Sequence, residues 1–110
     1  MRLVFADSSY YIALLLRNDA HHDVARRAGA ALDREFTRWF TSQAVVFEVL
    51  AFFSRGGPAS RARAAELVDR IRSSSAVEIV PTSGALFDAA ISLYRDRLDQ
   101  RYSLAGCLAM

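Results

Sequence analysis

The chain has 110 residues and no lysine; all fourteen basic residues are arginines. An arginine fork matches phosphate geometry. Yet GC-rich coding also favours arginine, and a net charge of +2 does not by itself select nucleic acid as a partner. Cysteine is almost absent too. With Cys107 alone no internal disulfide can form, and a reducing, cytoplasmic setting is expected. No apolar run approaches the ~20 residues that span a bilayer. The first residues do not follow the basic, apolar, small-residue order of a signal peptide, because Asp7 comes directly after Leu3 to Ala6. The two histidines, His21 and His22, are adjacent. On a helix they point in different directions, so they read as first-turn residues and not as a metal pair. These absences argue against a disulfide-stapled secreted domain and a membrane protein. At 53% hydrophobic residues the chain is not a disordered segment either. Its length suits one domain with a modest core, spanning residues 1–110.

Two isolated acids are the most informative residues. Glu48 is the only charge between Thr41 and Ser54, inside the apolar run Ala44 to Phe53. An unpaired buried carboxylate costs several kcal/mol, comparable to the stability margin of a small domain. It therefore needs a cation, a hydrogen-bond cage or a cleft. Asp7 follows the apolar stretch Leu3-Val4-Phe5-Ala6 and precedes Ser8-Ser9. The pair suggests a shared site for a hard cation. The plainer alternatives are a helix cap for Asp7 and an arginine partner for Glu48, such as Arg38 or Arg55.

The pattern along the chain predicts strands at Arg2 to Ala6, Phe36 to Thr41 and Val77 to Val80. A helix over Tyr10 to Leu16 is expected after a Ser8 or Ser9 cap, and another over Ala20 to Glu35 with Val24, Ala28, Ala31 and Leu32 on its apolar face. Ser42 is expected to cap the helix carrying Glu48, which stops at Gly56-Gly57-Pro58. Ser60 to Ser73 reads as a helix with Ala62, Ala65, Leu67, Val68 and Ile71 at its apolar positions. Ser83 to Leu98 is also helical, and Ser103 caps a last helix. Strands separated by helical crossovers give a parallel sheet with helices on both faces, with ligands at the carboxyl ends of the strands. Asp7 lies there, and Glu48 can point into the same crevice.

Several stretches now carry a resemblance: Phe5-Ala6-Asp7-Ser8-Ser9-Tyr10, His21 to Ala25, Thr41 to Leu50, Val77 to Pro81 and Tyr94 to Cys107. In this order, over essentially the whole chain, the sequence resembles the PIN-domain family and, within it, the VapC-type ribonuclease toxins of bacterial toxin–antitoxin systems. The resemblance implies a three-layer α/β fold around a parallel sheet. It also implies an endoribonuclease that hydrolyses RNA phosphodiesters with a water activated by Mg²⁺ or Mn²⁺. Asp7 matches the first metal-site acid, Glu48 the second, and Ser9 the small polar residue that supports the site. RNA, a small antitoxin protein and a second copy of the chain are the implied partners, in the cytoplasm and without a membrane.

The sequence departs from the family in two places. Gly106 stands in Ser103-Leu104-Ala105-Gly106-Cys107 where the family has an aspartate. Two carboxylates still bind Mg²⁺, but with less charge to hold the ion and activate its water. Asp99 is a candidate to support the site from the preceding loop, as is Asp96; both also read as solvated surface acids. The family also continues into another strand beyond Met110, so a fold incomplete at its C-terminus is expected, with Arg2 to Ala6 as an exposed apolar edge that favours association. The alternative to a nuclease is a catalytically inactive PIN module that only binds antitoxin, itself or RNA. Arg55, Arg61 and Arg63 flank the Gly56-Gly57-Pro58 break; they read either as RNA phosphate contacts at the mouth of the site or as solvated helix charge. Cys107 reads as a core thiol.

Overall fold

The computed structural model describes residues 2–35 and 37–96. The expectations for Asp99, Ser103, Gly106 and Cys107 lie outside that range. Three strands, β1 (Leu3–Phe5), β2 (Arg38–Ser42) and β3 (Val77–Val80), form one sheet in the order β1-β2-β3. Both pairings are parallel, with Phe5 opposite Phe40 and Trp39 opposite Val77. The helices are α1 (Ser8–Leu15), α2 (His22–Asp33), α3 (Gln43–Phe53), α4 (Pro58–Ser73) and α5 (Gly84–Asp96). The chain is therefore an α/β protein, and β3 has the bounds the sequence predicts.

The steps from β1 to β2 and from β2 to β3 run in the same direction across the sheet. Right-handed crossovers in one direction put their helices on one face, and α1 packs on α2 and α3 there while α3 packs on α4. Alternation along β2 turns Trp39 and Thr41 toward that helical layer. Both are buried in the core, with Val45, Val49, Leu67 and Ile71. Phe40 falls on the opposite face, where it meets Phe5 edge-on at 5.1 Å between ring centroids. Among the described residues β1 pairs on one side only, and Leu3 is 71% exposed.

Local chemistry explains the helix boundaries. Ser42 caps α3, its hydroxyl accepting from the Val45 N–H at 3.1 Å. α3 passes through a 3₁₀ turn at Ser54–Gly56 into Gly57. Gly57 has a φ of +87°, where a side chain would be strained, and Pro58 then opens α4. The carboxyl oxygen of Asp19 accepts from the His21 N–H just before α2. The His22 ring lies 2.6 Å from the Ala13 carbonyl, so the histidines are first-turn residues, as their adjacency suggests.

Two helical faces differ from expectation. On α2, Ala25 and Gly29 are buried, whereas Val24, Ala28 and Ala31 are exposed. The reason is close approach: the Tyr10 hydroxyl occupies the space that a Cβ on Gly29 would take. α2 thus docks through its smallest residues. On α4 the buried positions are Ala64, Leu67 and Ile71, while Ala62 and Ala65 are exposed. Among the described residues no helix is long and apolar enough to cross a membrane.

Candidate functional site

β1 delivers Asp7 to the carboxyl end of the sheet. The pairing continues past the strand, with the Ala6 N–H donating to the Phe40 carbonyl at 2.9 Å. The fully buried Thr41 hydroxyl donates to the Ala6 carbonyl at 2.8 Å. These bonds fix the backbone just before Asp7. Asp7 then leaves the strand in an extended conformation and caps α1, its Oδ1 accepting from the Ser8 N–H at 2.7 Å. The cap is thus Asp7, as the plainer reading of that residue has it, and not Ser8 or Ser9. A carboxylate accepts at a helix N-terminus more strongly than a hydroxyl because it also meets the positive end of the helix dipole.

Ser8 is left free to do something else. It is 6% exposed, and its hydroxyl donates to Glu48 Oε1 at 2.7 Å. Asp7 and Glu48 are thereby joined through one residue, across the 40-residue separation of Ser8 and Glu48. Each carboxylate is half-buried and has a second oxygen beyond the one that Ser8 occupies. The arginine alternative for Glu48 is not what the fold uses: the ion pair found among the described residues is Arg2–Glu35 at 3.3 Å, on the surface. Two convergent carboxylates suit a hard divalent cation that takes oxygen ligands and keeps several waters. Among the described residues no cluster of three or more metal-ligating side chains occurs.

Ser9, expected to support the site, is exposed on α1. The spacing holds the signal that separates the two serines. Ser8, Tyr11 and Leu15 recur at i, i+3 and i+7 and share the buried face, and Ser9 is turned away from it. Tyr11 packs beneath the site, where burial, with the neighbouring Tyr10, pushes its hydroxyl pKa up to about 12, partly offset by the Thr41 hydroxyl. Asp96 is exposed at the end of α5.

The expectation that Arg55, Arg61 and Arg63 flank the mouth of the acid site is corrected for two of them. Arg63 Nη2 donates to the Leu15 carbonyl at 2.6 Å, at the far end of α1 and roughly 10 Å of helix from Ser8. Arg61 lines a hollow with Leu50, Ser54 and Pro58. Leu50 is two residues beyond Glu48, about 200° around α3 and so on the other side of the helix. Arg55 is exposed on the 3₁₀ turn. The fold gathers other arginines instead. Arg26, Arg27 and Arg34 surround an open hollow of about 720 Å³ together with Tyr10 and Asp33. All three belong to α2 or its C-cap, and the docking of α2 on α1 adds Tyr10 and Leu14 to the hollow that they line.

The comparisons with known proteins concern the fold and the family. The fold is similar to the crystal structure of Mycobacterium tuberculosis VapC20, described as a Sarcin-Ricin loop cleaving toxin, with a TM-score of 0.81. That match covers 96% of this chain and 77% of VapC20 at 23% sequence identity, which speaks to the shared fold. No curated protein sequence matches the chain. The model of the PIN domain matches residues 4–101, a span that contains both acids, Ser8, β2, β3, all of β1 but Leu3 and the five described helices, and the chain belongs to the PIN domain family.

Proposed function

We propose that this chain is a metal-dependent endoribonuclease of the VapC toxin type. One observation carries the reading: Asp7 and Glu48 converge on Ser8 at the carboxyl end of a parallel sheet, each 2.7 Å from a donor of that residue. Asp7 and Glu48 would hold Mg²⁺ or Mn²⁺ through the oxygens that Ser8 leaves free. When bound, such a cation activates water for hydrolysis of a phosphodiester. The chain's own residues then have three tasks: to hold the acids apart from arginine, to keep them at a fixed separation, and to meet the RNA backbone with arginine. The likeness to VapC20 supports RNA as substrate, and with it a small antitoxin protein and a second copy of the chain as partners in the cytoplasm.

A specific residue favours a second reading. Gly106 replaces an acid that the family pattern has, so the alternative is an inactive PIN module that binds antitoxin, itself or RNA without cleaving. The deciding experiment is Mn²⁺-dependent cleavage of a mixed RNA pool by the wild-type chain beside Gly106→Asp, with both confirmed to be folded. Cleavage by both supports a site completed by Asp7 and Glu48. Cleavage by Gly106→Asp alone assigns the wild type to the inactive reading. No cleavage by either overturns the nuclease proposal for this chain.

A further inference from the structure

We infer that Ser8, and not Ser9, is the positioning residue of the acid site: it sets the separation and orientation of Asp7 and Glu48 and thereby the affinity of the pair for a divalent cation. The inference rests on the metal-site reading above and adds to it a residue with a defined task.

The argument is one of donors. Ser8 has two polar hydrogens. Its N–H goes to Asp7 Oδ1 and its hydroxyl hydrogen to Glu48 Oε1, both at 2.7 Å. Neither is available to water, because Ser8 is 6% exposed. Ser8 therefore engages one oxygen of each carboxylate and leaves the second oxygen of each to a further ligand. A carboxylate held by one donor has lost most of its rotational freedom, so less ordering remains when a cation binds. Ser9 is exposed on the outside of α1, and no hydrogen bond ties its side chain to either acid.

The frame around Ser8 is rigid on each side. Thr41, fully buried, bonds the Ala6 carbonyl and so locates the backbone from which Asp7 and Ser8 leave the sheet. Ser42, the next residue of β2, caps α3 and so fixes the phase at which Glu48 emerges one and a half turns later. The Ser8 hydroxyl connects these two anchored segments at the acids themselves, through its bond to Glu48. A serine suits the position because a hydroxyl reaches one carboxylate without adding a charge that would neutralise it, as arginine or lysine would.

The test is Mn²⁺ binding by isothermal titration calorimetry on wild type, Ser8→Ala, Ser8→Thr and Ser9→Ala, with melting temperatures taken alongside. Removing the Ser8 hydroxyl is expected to weaken Mn²⁺ binding about tenfold, the lower range for loss of a residue that orients metal ligands. Ser8→Thr keeps the donor and is expected to recover most of the affinity, which a purely structural role would not require. An unchanged affinity in Ser8→Ala, or a larger loss in Ser9→Ala than in Ser8→Ala, overturns the inference. If the wild type itself binds no Mn²⁺, the metal-site reading fails, and the positioning role is judged separately from crystal structures of wild type and Ser8→Ala. A Glu48 carboxylate displaced in Ser8→Ala supports it, and one left in place overturns it.

Discussion

The two ends of the sheet solve different problems with the same secondary structure. At the carboxyl end, Asp7, Ser8, Thr41, Ser42 and Glu48 spend their polar atoms on one another and on the backbone. At the amino end, Trp39 stacks on Tyr10 at 5.4 Å, and its indole N–H donates to Asp33 at 3.0 Å. There Tyr10 fills the space over Gly29. One end carries charges that cost stability and that catalysis can use; the other carries aromatic area that returns stability. Parallel strands produce this division, since all three carboxyl ends and the helices that start from them meet at one side.

The sharpest way to break the comparison is Glu48→Gln. The glutamine carbonyl still accepts the Ser8 hydroxyl, so the melting temperature is expected to stay near that of wild type. The lost charge is expected to lower Mn²⁺ affinity more than tenfold and to abolish Mn²⁺-dependent cleavage wherever wild type shows it. Calorimetry and an RNA cleavage assay read the two halves. A large drop in melting temperature would place Glu48 in the stability-bearing half instead.

Tyr11 spans both halves and gives a pH test. Its hydroxyl is held from the ordinary 10.0 up to about 12, first by burial. The folded state therefore keeps a proton that the unfolded chain loses above pH 10. This contribution is complete below pH 10 and disappears as pH rises toward 12, by at most about 3 kcal/mol in all. Urea titrations across that window are expected to show the slope in wild type and a shallower one in Tyr11→Phe.

At the amino end, Gly29→Ala is expected to cost roughly 1–2 kcal/mol, because the new methyl displaces a tyrosine that is pinned by its stack on Trp39. Tyr10→Phe in the same background frees that space and is expected to recover stability in thermal melts. Mn²⁺ affinity should not follow either change. The smallest effect expected is Ser42→Ala, about 1 kcal/mol for a lost helix cap, read by denaturant unfolding.

Much of this arrangement was legible in the residues. The isolation of Asp7 and Glu48 anticipated that the fold would bring the two acids together, because buried charge is expensive. Ser42 announced the start of α3, and Val77-Glu78-Ile79-Val80 followed by Pro81 marked β3. What escaped was set by tertiary contact. Val24 looks more apolar than Gly29, yet α2 docks through Gly29 because a tyrosine from α1 needs the room. Ser8 and Ser9 have the same chemistry, and only their phase relative to Tyr11 and Leu15 separates the one that holds Glu48 from the one that faces water. Arg63 looked like a phosphate contact and instead ties α4 to the last turn of α1. The arginines of α2 gained Tyr10 as a neighbour only once α1 and α2 were side by side.

The Ser8–Glu48 bond closes a gap of 40 residues and the Thr41–Ala6 bond one of 35, which has a kinetic consequence. Neither bond can form within a local segment, and closing such loops is slow compared with forming a helix. On a ribosome that releases the chain from its amino end, α1 and α2 can form early while Asp7 has no carboxylate beside it. The acid pair comes into being only when β1 and β2 zip together after Glu48 has emerged. The nascent chain is thus without its paired site until Glu48 has left the ribosome.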